Sequence, residues 1–274
     1  MENSRVLVIG GSRNIGYYSA IRLLALGATV TFLLRSPQVF DQDETIQHYI
    51  KEGKARLIQG DALVKDDVRR AWSEAQHQQE DNTRPVDFLI FTVGGTPQFS
   101  LTKGFTMTPL NLVTKCFINV LETLPSPHPN IIAISSFGIT HASRKSVPLL
   151  LKPLYKYALP IMHKDKRGME EAISHSAGWK WDARDSAGDE ILGVDWTSNI
   201  PNAGDFKNIA VIRPALLTDG ECRADVKGSE AYRVKDGDLE SSWSVSRKDV
   251  AHFLVEGMVK HWQEWEGKCT SIAY

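Results

Sequence analysis

The chain has 274 residues, of which 42% are apolar and 24% charged, and its formal net charge is -1. These ordinary globular values exclude a disordered or fibrous chain, and a near-zero net charge provides no field that would attract nucleic acid. Three widely separated cysteines without a C-x-x-C pair predict neither a disulfide framework nor a metal site. No window of about 18 apolar residues and no cleavable leader is recognisable, so we expect a soluble cytoplasmic protein that does not enter membranes.

Seven short apolar runs along the chain predict β-strands. They cover residues 5–9, 28–34, 55–58, 86–91, 130–134, 208–212 and 269–273. The runs do not alternate in polarity, which is typical of strands buried on both faces, and helix-compatible segments such as 17–26, closed by Gly27, separate them. Strands joined by helical crossovers predict an α/β fold with a parallel sheet. Because no linker divides the chain, we expect one domain over residues 1–274.

Two segments break this pattern. Residues 175–207 contain three tryptophans and several Gly, Asp and Asn residues without periodicity, and tryptophans argue against disorder because they need burial. Two interpretations remain open, an insertion packed on the surface by its own aromatics and a wall of a substrate pocket. Residues 221–243, rich in charge and turn formers, are expected to form the rest of that variable wall.

A glycine-rich turn follows the first strand and opens the first helix. Free amide groups and the positive end of a helix dipole meet at such a turn, which suits a pyrophosphate. The strict G-x-G-x-x-G pattern is absent, yet the strand, turn, helix and second strand follow in the right order. An asparagine in the turn is expected in the left-handed backbone region. The predicted dinucleotide-binding residues here are Gly10, Ser12, Arg13, Asn14, Ile15 and Gly16.

Residues 9–16, Ile-Gly-Gly-Ser-Arg-Asn-Ile-Gly, resemble the glycine turn of the short-chain dehydrogenase/reductase superfamily. Further blocks are similar to that superfamily, in particular to its atypical, NmrA-like branch with an NAD(P)H-binding domain. They lie at 60–63, 131–136, 165–170, 212–220 and 246–251. The resemblance covers nearly the whole chain and implies a Rossmann-type, doubly wound parallel sheet with a variable C-terminal substrate region.

The end of the second strand bears on the choice of dinucleotide. An NAD site usually has Asp or Glu about 20 residues past the glycine turn, whereas an NADP site uses Arg. Here Arg35 lies at that position, no acid occurs before Asp41, and Arg13 could reach the same phosphate. We therefore predict NADP(H), since guanidinium groups make strong bonds to a phosphate dianion. The alternative is that Arg35 is a solvated loop residue.

The resemblance also implies an adenine side of the site. It places Asp61 and Ala62 beside the adenine, and Thr92, Val93 and Gly94 beside the ribose. Glycine there lets the backbone approach a ligand, although it could simply turn the chain after a strand.

Superfamily members ordinarily reduce carbonyls with a serine after the fifth strand and a Tyr-x-x-x-Lys pair on the next helix. The resemblance implies Ser135 and Ser136 for the serine and Lys166 for the lysine that holds the nicotinamide ribose. The tyrosine position is Met162, which cannot donate a proton. His163, on the same helix face as Lys166, is a candidate donor.

Other readings of the proton donor stay open. Tyr155 and Tyr157 precede Lys166, and His163 could instead be a solvent-facing residue at the start of a helix. Lys152 fits the lysine position poorly, since Pro153 follows it directly.

Residues after the sixth strand resemble the segment that contacts the nicotinamide carboxamide through backbone groups. These are Pro214, Ala215 and Leu216. Arg213 before them is expected either to contribute to the site or to form an ion pair, for instance with Asp249.

Two functions fit these observations. The first is an NADPH-dependent oxidoreductase that transfers hydride to a small or medium, partly apolar acceptor such as a carbonyl, enone, quinone or flavin. The second is a non-catalytic NADP(H) sensor, a role known in the NmrA-like branch, and the missing tyrosine fits it. The oxidoreductase would act on a small-molecule substrate, whereas the sensor would use the bound dinucleotide to favour one surface conformation and so regulate a partner. No metal, nucleic acid or membrane partner is expected, and the oligomeric state is not encoded.

Overall fold

The computed structural model describes residues 1–77, 84–95, 108–154, 157 and 159–274, and the backbone of 98–100 and 104–106. The strands of these residues are β1 (Arg5–Ile9), β2 (Thr29–Leu34), β3 (Ala55–Gln59), β4 (Phe88–Phe91), β5 (Gln98–Ser100), β6 (Gly104–Thr106), β7 (Asn130–Ile134), β8 (Ile209–Pro214), β9 (Leu216–Thr218), β10 (Arg233–Asp236), β11 (Ser244–Ser246) and β12 (Cys269–Ala273). The helices are α1 (Asn14–Ala25), α2 (Glu44–Lys51), α3 (Lys65–Gln76), α4 (Leu112–Glu122), α5 (His141–Ser146), α6 (Pro160–Ala177), α7 (Asp189–Leu192), α8 (Ala224–Lys227), α9 (Arg247–His252) and α10 (Trp262–Trp265). A π-helical segment, Phe253–Val259, continues α9.

Eight strands form one sheet in the order β10-β12-β8-β7-β4-β1-β2-β3. Every neighbouring pair is parallel except β10 with β12. This is the predicted Rossmann-type, doubly wound α/β fold, and all seven predicted strands are present. The parallel strands end at one edge, where Ile9 pairs with Leu33 on one side and with Phe91 on the other. The turns that follow β1, β2, β3, β4, β7 and β8 therefore meet along that edge, which we call the carboxyl edge.

The sheet is buried on both faces, which explains why its strands are continuous apolar runs. Successive side chains of β1 point to opposite faces, so Val6 and Val8 belong to one core while Leu7 and Ile9 belong to the other. The first core includes α1 and α9, and the second includes α3, α4 and α6. The two layers hold the strand ends, and hence the turns after them, in fixed relative positions.

Residues 175–207 form a packed segment. Helix α6 extends to Ala177, and short helical turns follow at Ala183–Asp185 and in α7. Trp179 and Trp196 pack partly buried against the core on the α4 and α6 side. The Asn111 side chain donates a hydrogen bond of 3.1 Å to the Ile191 carbonyl. These contacts support the interpretation of an insertion packed by its own aromatics.

Residues 221–243 extend the sheet. Strand β10 pairs antiparallel with β12, and β11 after this segment pairs with β9. The sequence analysis missed β10 because its four residues carry three charges and are mostly exposed, so they lack an apolar run. Within the described part of the chain, no helix has the length and apolarity needed to span a membrane.

Candidate functional site

The glycine turn after β1 is shaped by its neighbour β4. Gly10 has a φ of 92°, and a Cβ there would lie 2.6 Å from the backbone of Thr92 and Val93. The Thr92 hydroxyl donates a hydrogen bond of 3.0 Å to the Gly10 carbonyl. A Cβ on Gly16 would meet the same hydroxyl and, at 2.7 Å, the Gly10 carbonyl. Both glycines are thus required by the packing of the turn itself, before any ligand approaches.

The first turn of α1 is left open to an anion. Asn14 has a φ of 56°, which confirms the predicted left-handed backbone. Arg13 precedes it in an extended conformation, no side chain caps the helix, and no acid lies in the first turn. Arg13 and Asn14 are exposed, Ser12 is half-buried, and Ile15 is buried. The amides of this turn therefore carry the positive end of the helix dipole at the carboxyl edge.

Arg35 directly follows β2, the strand next to β1. Its side chain is exposed, and it has no ion-pair partner within the described residues. The loop that carries it is anchored by the buried Phe40 ring and by Tyr17, whose hydroxyl donates a hydrogen bond of 2.7 Å to Asp43. Asp43 also accepts from the Ile46 amide at the start of α2. These contacts fix the loop at the end of β2, the strand that pairs with β1.

The turn after β3 is held by hydrogen bonds of its own. The Asp61 carboxylate accepts from the Leu63 amide at 2.9 Å, and the Asp61 amide donates to Asp67 at 2.8 Å. The Ala62 carbonyl accepts from the Asn119 side chain at 2.8 Å. Asp61 thus has a structural role in its turn in addition to its predicted place beside an adenine.

The turn after β4 contains a glycine with free space around it. A Cβ on Gly94 would meet nothing within 4 Å, and its φ lies outside the left-handed region. Neither packing nor backbone conformation therefore requires glycine there, in contrast to Gly10. Val93 beside it packs partly buried against the core. An exposed glycine with no neighbour at its Cβ position leaves the backbone accessible to a ligand.

Lys166 reaches the end of β7. Its ammonium donates a hydrogen bond of 2.6 Å to the carbonyl of Ile134, the last residue of that strand. Burial lowers the pKa of Lys166 to about 8, although the neighbouring Asp165 and Glu170 oppose the shift. Ser135 follows Ile134, and its hydroxyl is buried without a hydrogen-bond partner in the described structure. Ser136 is half-buried beside it. Lys166 thus contacts the backbone of the strand end that directly precedes Ser135 and Ser136.

Asp165 sets the orientation of α6. Its buried carboxylate accepts hydrogen bonds of 2.8 Å from the amides of Val113 and Thr114 in the first turn of α4. One turn further along α6, a Cβ on Gly168 would lie 2.5 Å from the Thr114 hydroxyl. These two contacts clamp α6 against α4 and turn Lys166 toward β7. Asp165 lies in one of the blocks that resemble the superfamily, but the sequence assigned it no role. Its two amide partners are visible only in the structure.

His163 does not suit the role of proton donor that the sequence suggested. It is buried rather than solvent-facing, and burial, with Arg144, Arg167 and Lys166 nearby, lowers its pKa to about 3. The imidazole is therefore neutral at physiological pH and carries no acidic proton.

The remaining candidates are no better supported as proton donors. Tyr157 is 69% exposed, and Tyr155 falls outside the described residues. Met162 is half-buried four residues before Lys166, so α6 carries a thioether where the superfamily has its tyrosine.

Arg213 forms an ion pair, but its partner is Glu170 and not Asp249. The guanidinium Nε donates to Glu170 at 3.0 Å, and both side chains are nearly inaccessible to solvent. Burial by itself would lower the pKa of Arg213, but the negative charge of Glu170 outweighs it, so the pKa is raised. Asp249 instead accepts hydrogen bonds from the Ala224 amide at 2.8 Å and from the Tyr274 hydroxyl at 2.6 Å. The predicted Arg213–Asp249 pair is therefore wrong. Charge alone does not distinguish Asp249 from Glu170 as the partner of Arg213.

The segment after β8 is only partly available for a ligand. The Ala215 amide donates to the Ile272 carbonyl at 3.0 Å, and the Pro214 carbonyl accepts from the Phe137 amide at 2.9 Å. A backbone contact from the Ala215 amide to a carboxamide is therefore excluded in this arrangement. Leu216, which is 37% exposed, is the member of the predicted trio that faces open space.

An open cavity has a volume of about 460 Å³. Its lining includes Lys145 at the end of α5, Leu149 in the turn after it, and Glu240 and Trp243 in the loop before β11. Helix α5 follows β7 in the chain, and β11 pairs with β9 directly after β8. Three residues of the segment 221–243, for which the sequence predicted a substrate wall, line this cavity, namely Glu240, Ser241 and Trp243.

No protein-family model matches the sequence. Over 201 residues, the chain is 29% identical to a protein of Aspergillus terreus named reductase pytE, an alignment that covers 69% of this chain and 67% of that one. The fold is similar to that of ChuY, an anaerobilin reductase of Escherichia coli O157:H7, with a TM-score of 0.58, 16% identity, and coverage of 98% and 96% of the two chains.

A second similar structure is a short-chain dehydrogenase from Burkholderia cenocepacia in complex with NADP. Its TM-score is 0.56 at 19% identity, and the match covers 94% of this chain and 91% of that one. At such low identities the two structures establish the fold, whose neighbours are short-chain dehydrogenase/reductase-like proteins.

Proposed function

We propose that the protein is an NADP(H)-dependent oxidoreductase that transfers a hydride to a small or medium, partly apolar acceptor such as a carbonyl, enone, quinone or flavin. It would belong to an atypical, NmrA-like group of short-chain dehydrogenases/reductases. The observation that carries the proposal is the hydrogen bond of Lys166 to the Ile134 carbonyl at the end of β7, directly before Ser135, whose buried hydroxyl has no hydrogen-bond partner in the described structure. A relative named as a reductase supports the same class of reaction.

The residues of the edge fit a dinucleotide laid across it. The uncapped first turn of α1 would hold the pyrophosphate, and the exposed Arg35 would bind the 2'-phosphate. Gly94, whose Cβ position has no neighbour, would let the dinucleotide approach the backbone. Lys166 would move its hydrogen bond from the Ile134 carbonyl to the nicotinamide ribose. When bound, the reduced nicotinamide supplies the hydride, and the protein's task is to orient it.

The protonation states of the candidate donors limit the class of acceptor that the site can reduce. Met162 has no proton to give, and His163, with a pKa of about 3, is not protonated at neutral pH. Acceptors whose reduced form takes its proton from water, such as quinones and flavins, therefore suit this site best. Ser135 and Ser136 would hydrogen-bond the acceptor oxygen, and alignment would provide most of the rate enhancement.

The test is NADPH oxidation measured with a panel of quinones, flavins and enals. We expect turnover with at least one acceptor, and its loss in Gly94→Val, which places a branched side chain in the open space. Gly94→Ala should fold normally and lower the activity less than Gly94→Val, because its single Cβ has no close neighbour in the protein and obstructs a bound ligand less than a branched side chain. Circular dichroism would verify that both variants fold. Absence of turnover with every acceptor, despite tight NADPH binding, would contradict the proposal.

That outcome would favour the second candidate, a non-catalytic NADP(H) sensor. The observation in its favour is Met162, which stands where the superfamily has a tyrosine that donates a proton. A sensor should change its protease sensitivity or its partner binding when NADP replaces NADPH.

A further inference from the structure

Two leucines in the turn after α5 face solvent. Leu149 and Leu150 are 77% and 80% exposed. Leu151 and Leu154 in the same stretch instead pack against the small buried cluster that contains Phe137. The inner face of the turn is therefore already anchored, and the two exposed leucines project from its outer face. Large apolar side chains held in solvent on a fixed turn indicate a surface that meets an apolar partner.

The exposed apolar surface continues to Trp243. Its indole is 46% exposed, and it lines the open cavity together with Pro148 and Leu149. The loop that carries it is held by the Arg233 guanidinium, which donates hydrogen bonds of 3.2 and 3.0 Å to two of its carbonyls. Tryptophan favours the boundary between water and hydrocarbon, because its ring is apolar and its N–H is polar. We call Leu149, Leu150 and Trp243 the apolar patch.

The chain around the apolar patch is basic. Residues 123–164 contain five lysines and arginines but no Asp or Glu. Three of these cations are exposed, form no ion pair within the described residues, and lie within five positions of an exposed leucine, namely Arg144, Lys145 and Lys152. Glu240, which lines the cavity with Lys145, offsets one of the three charges. The surface therefore keeps a positive excess.

Other acids of the neighbouring elements have partners of their own. Asp185 lies 2.6 Å from the His141 Nδ1, and Glu190 pairs with Lys164 at 2.6 Å. Charges more than about 10 Å away are largely screened at physiological salt concentration. The unpaired cations beside the apolar patch therefore set the local potential, although the whole chain has a net charge of -1.

We propose that this surface docks the protein on a bilayer that contains anionic phospholipids. The apolar patch enters the boundary between headgroups and acyl chains, and the three exposed cations lie at the level of the lipid phosphates. A protein partner fits less well, because lysines are depleted in protein interfaces. The expected absence of a membrane partner rested on the lack of a spanning segment, and docking on a membrane surface requires none.

The test measures the partition coefficient of the full chain by co-sedimentation with vesicles. No cofactor or acceptor is present, so the result does not depend on the proposed function. The vesicles contain either phosphatidylcholine alone or phosphatidylcholine of which about a third is replaced by anionic phosphatidylglycerol. We expect at least about tenfold stronger binding to the anionic vesicles, because each cation near a charged surface contributes about fivefold. Added salt should reduce this preference.

Two double variants separate the apolar contribution from the charged one. The Leu149→Ser, Leu150→Ser variant should bind the anionic vesicles at least about tenfold more weakly, because two leucine side chains are no longer removed from water. The Lys145→Glu, Lys152→Glu variant should lose the preference for anionic vesicles. All four side chains are exposed, so both variants should keep the native thermal unfolding curve.

Val39→Ser and Lys51→Glu are the matched controls. Both residues are exposed and lie in the segments after β2, which β1 and β4 separate from β7 in the sheet. Each control should bind vesicles as the native protein does. No binding to the anionic vesicles, or binding that the two double variants leave unchanged, would overturn the proposal. A native dimer that the double serine variant dissociates, as measured by light scattering, would overturn it too, because a second copy would then cover the apolar patch.

Discussion

Replacing Lys166 with methionine should separate its role in the site from its cost to the fold. The ammonium is held against the Ile134 carbonyl in a poorly solvated position, and its pKa of about 8 lies below the ordinary value of 10.5. At pH 7 this difference corresponds to about 3 kcal/mol against the folded state. Methionine removes this cost, but the variant also loses the hydrogen bond to Ile134, which offsets about 1 to 2 kcal/mol of the stabilisation. Lys166→Met should therefore stabilise the cofactor-free protein by about 1 to 2 kcal/mol, or a few degrees in Tm.

The pH dependence of this effect has a definite sign. Because the folded-state pKa is the lower one, the unfolded chain binds more protons between about pH 8 and 10.5, and stability rises with pH across that window. Lys166→Met should lose this rise, so the advantage of the variant should be present at pH 7 and largely absent at the upper end of the window. Urea unfolding of both proteins across this range measures it.

Binding should change in the opposite direction. If the ammonium hydrogen-bonds the nicotinamide ribose, Lys166→Met should weaken NADPH binding by about tenfold. For the native protein, affinity should fall as pH rises through about 8, since the ammonium is then lost. Lys164→Met is the matched control, because Lys164 pairs with Glu190 at 2.6 Å and should leave NADPH affinity unchanged. A Lys166→Met protein that is less stable than the native one, or that binds NADPH equally well, would refute the reasoning.

Arg35→Ala should weaken NADPH binding by about tenfold and leave NADH binding unchanged; equal affinity of the native protein for the two cofactors, by fluorescence titration, would contradict the NADP assignment. Gly10→Ala should destabilise the cofactor-free protein by about 2 kcal/mol or more, since its Cβ meets the Thr92 backbone at 2.6 Å; native-like urea unfolding would disprove this. Arg213→Met should cost about 3 to 5 kcal/mol by leaving the buried Glu170 unpaired; the Arg213→Met, Glu170→Met double variant should recover much of that loss, and a double variant no more stable than the single one would argue against an ion-pair effect.

The strands of the parallel sheet could be predicted from local sequence. A strand buried on both faces is mostly apolar, so Arg5–Ile9, Asn130–Ile134 and Cys269–Ala273 were found with their observed bounds. The turn after β1 could be predicted equally well, because only a few residue types adopt a left-handed backbone and asparagine, here Asn14, is one of them. Strand β10 escaped the same reasoning, since a polar edge strand is stabilised by its partner β12 and not by its own apolar pattern.

The partners of charged side chains were decided by tertiary structure alone. Arg213 pairs with Glu170, 43 positions away in sequence, and Asp165 binds the amides of Val113 and Thr114, more than 50 positions away. Charge and spacing do not distinguish one distant acid from another, because long-range pairing depends on which helices and strands pack together in the folded protein. His163 illustrates the consequence. Its sequence position suggested a titratable donor, whereas the packing of α6 buries the ring beside three cations and keeps it neutral.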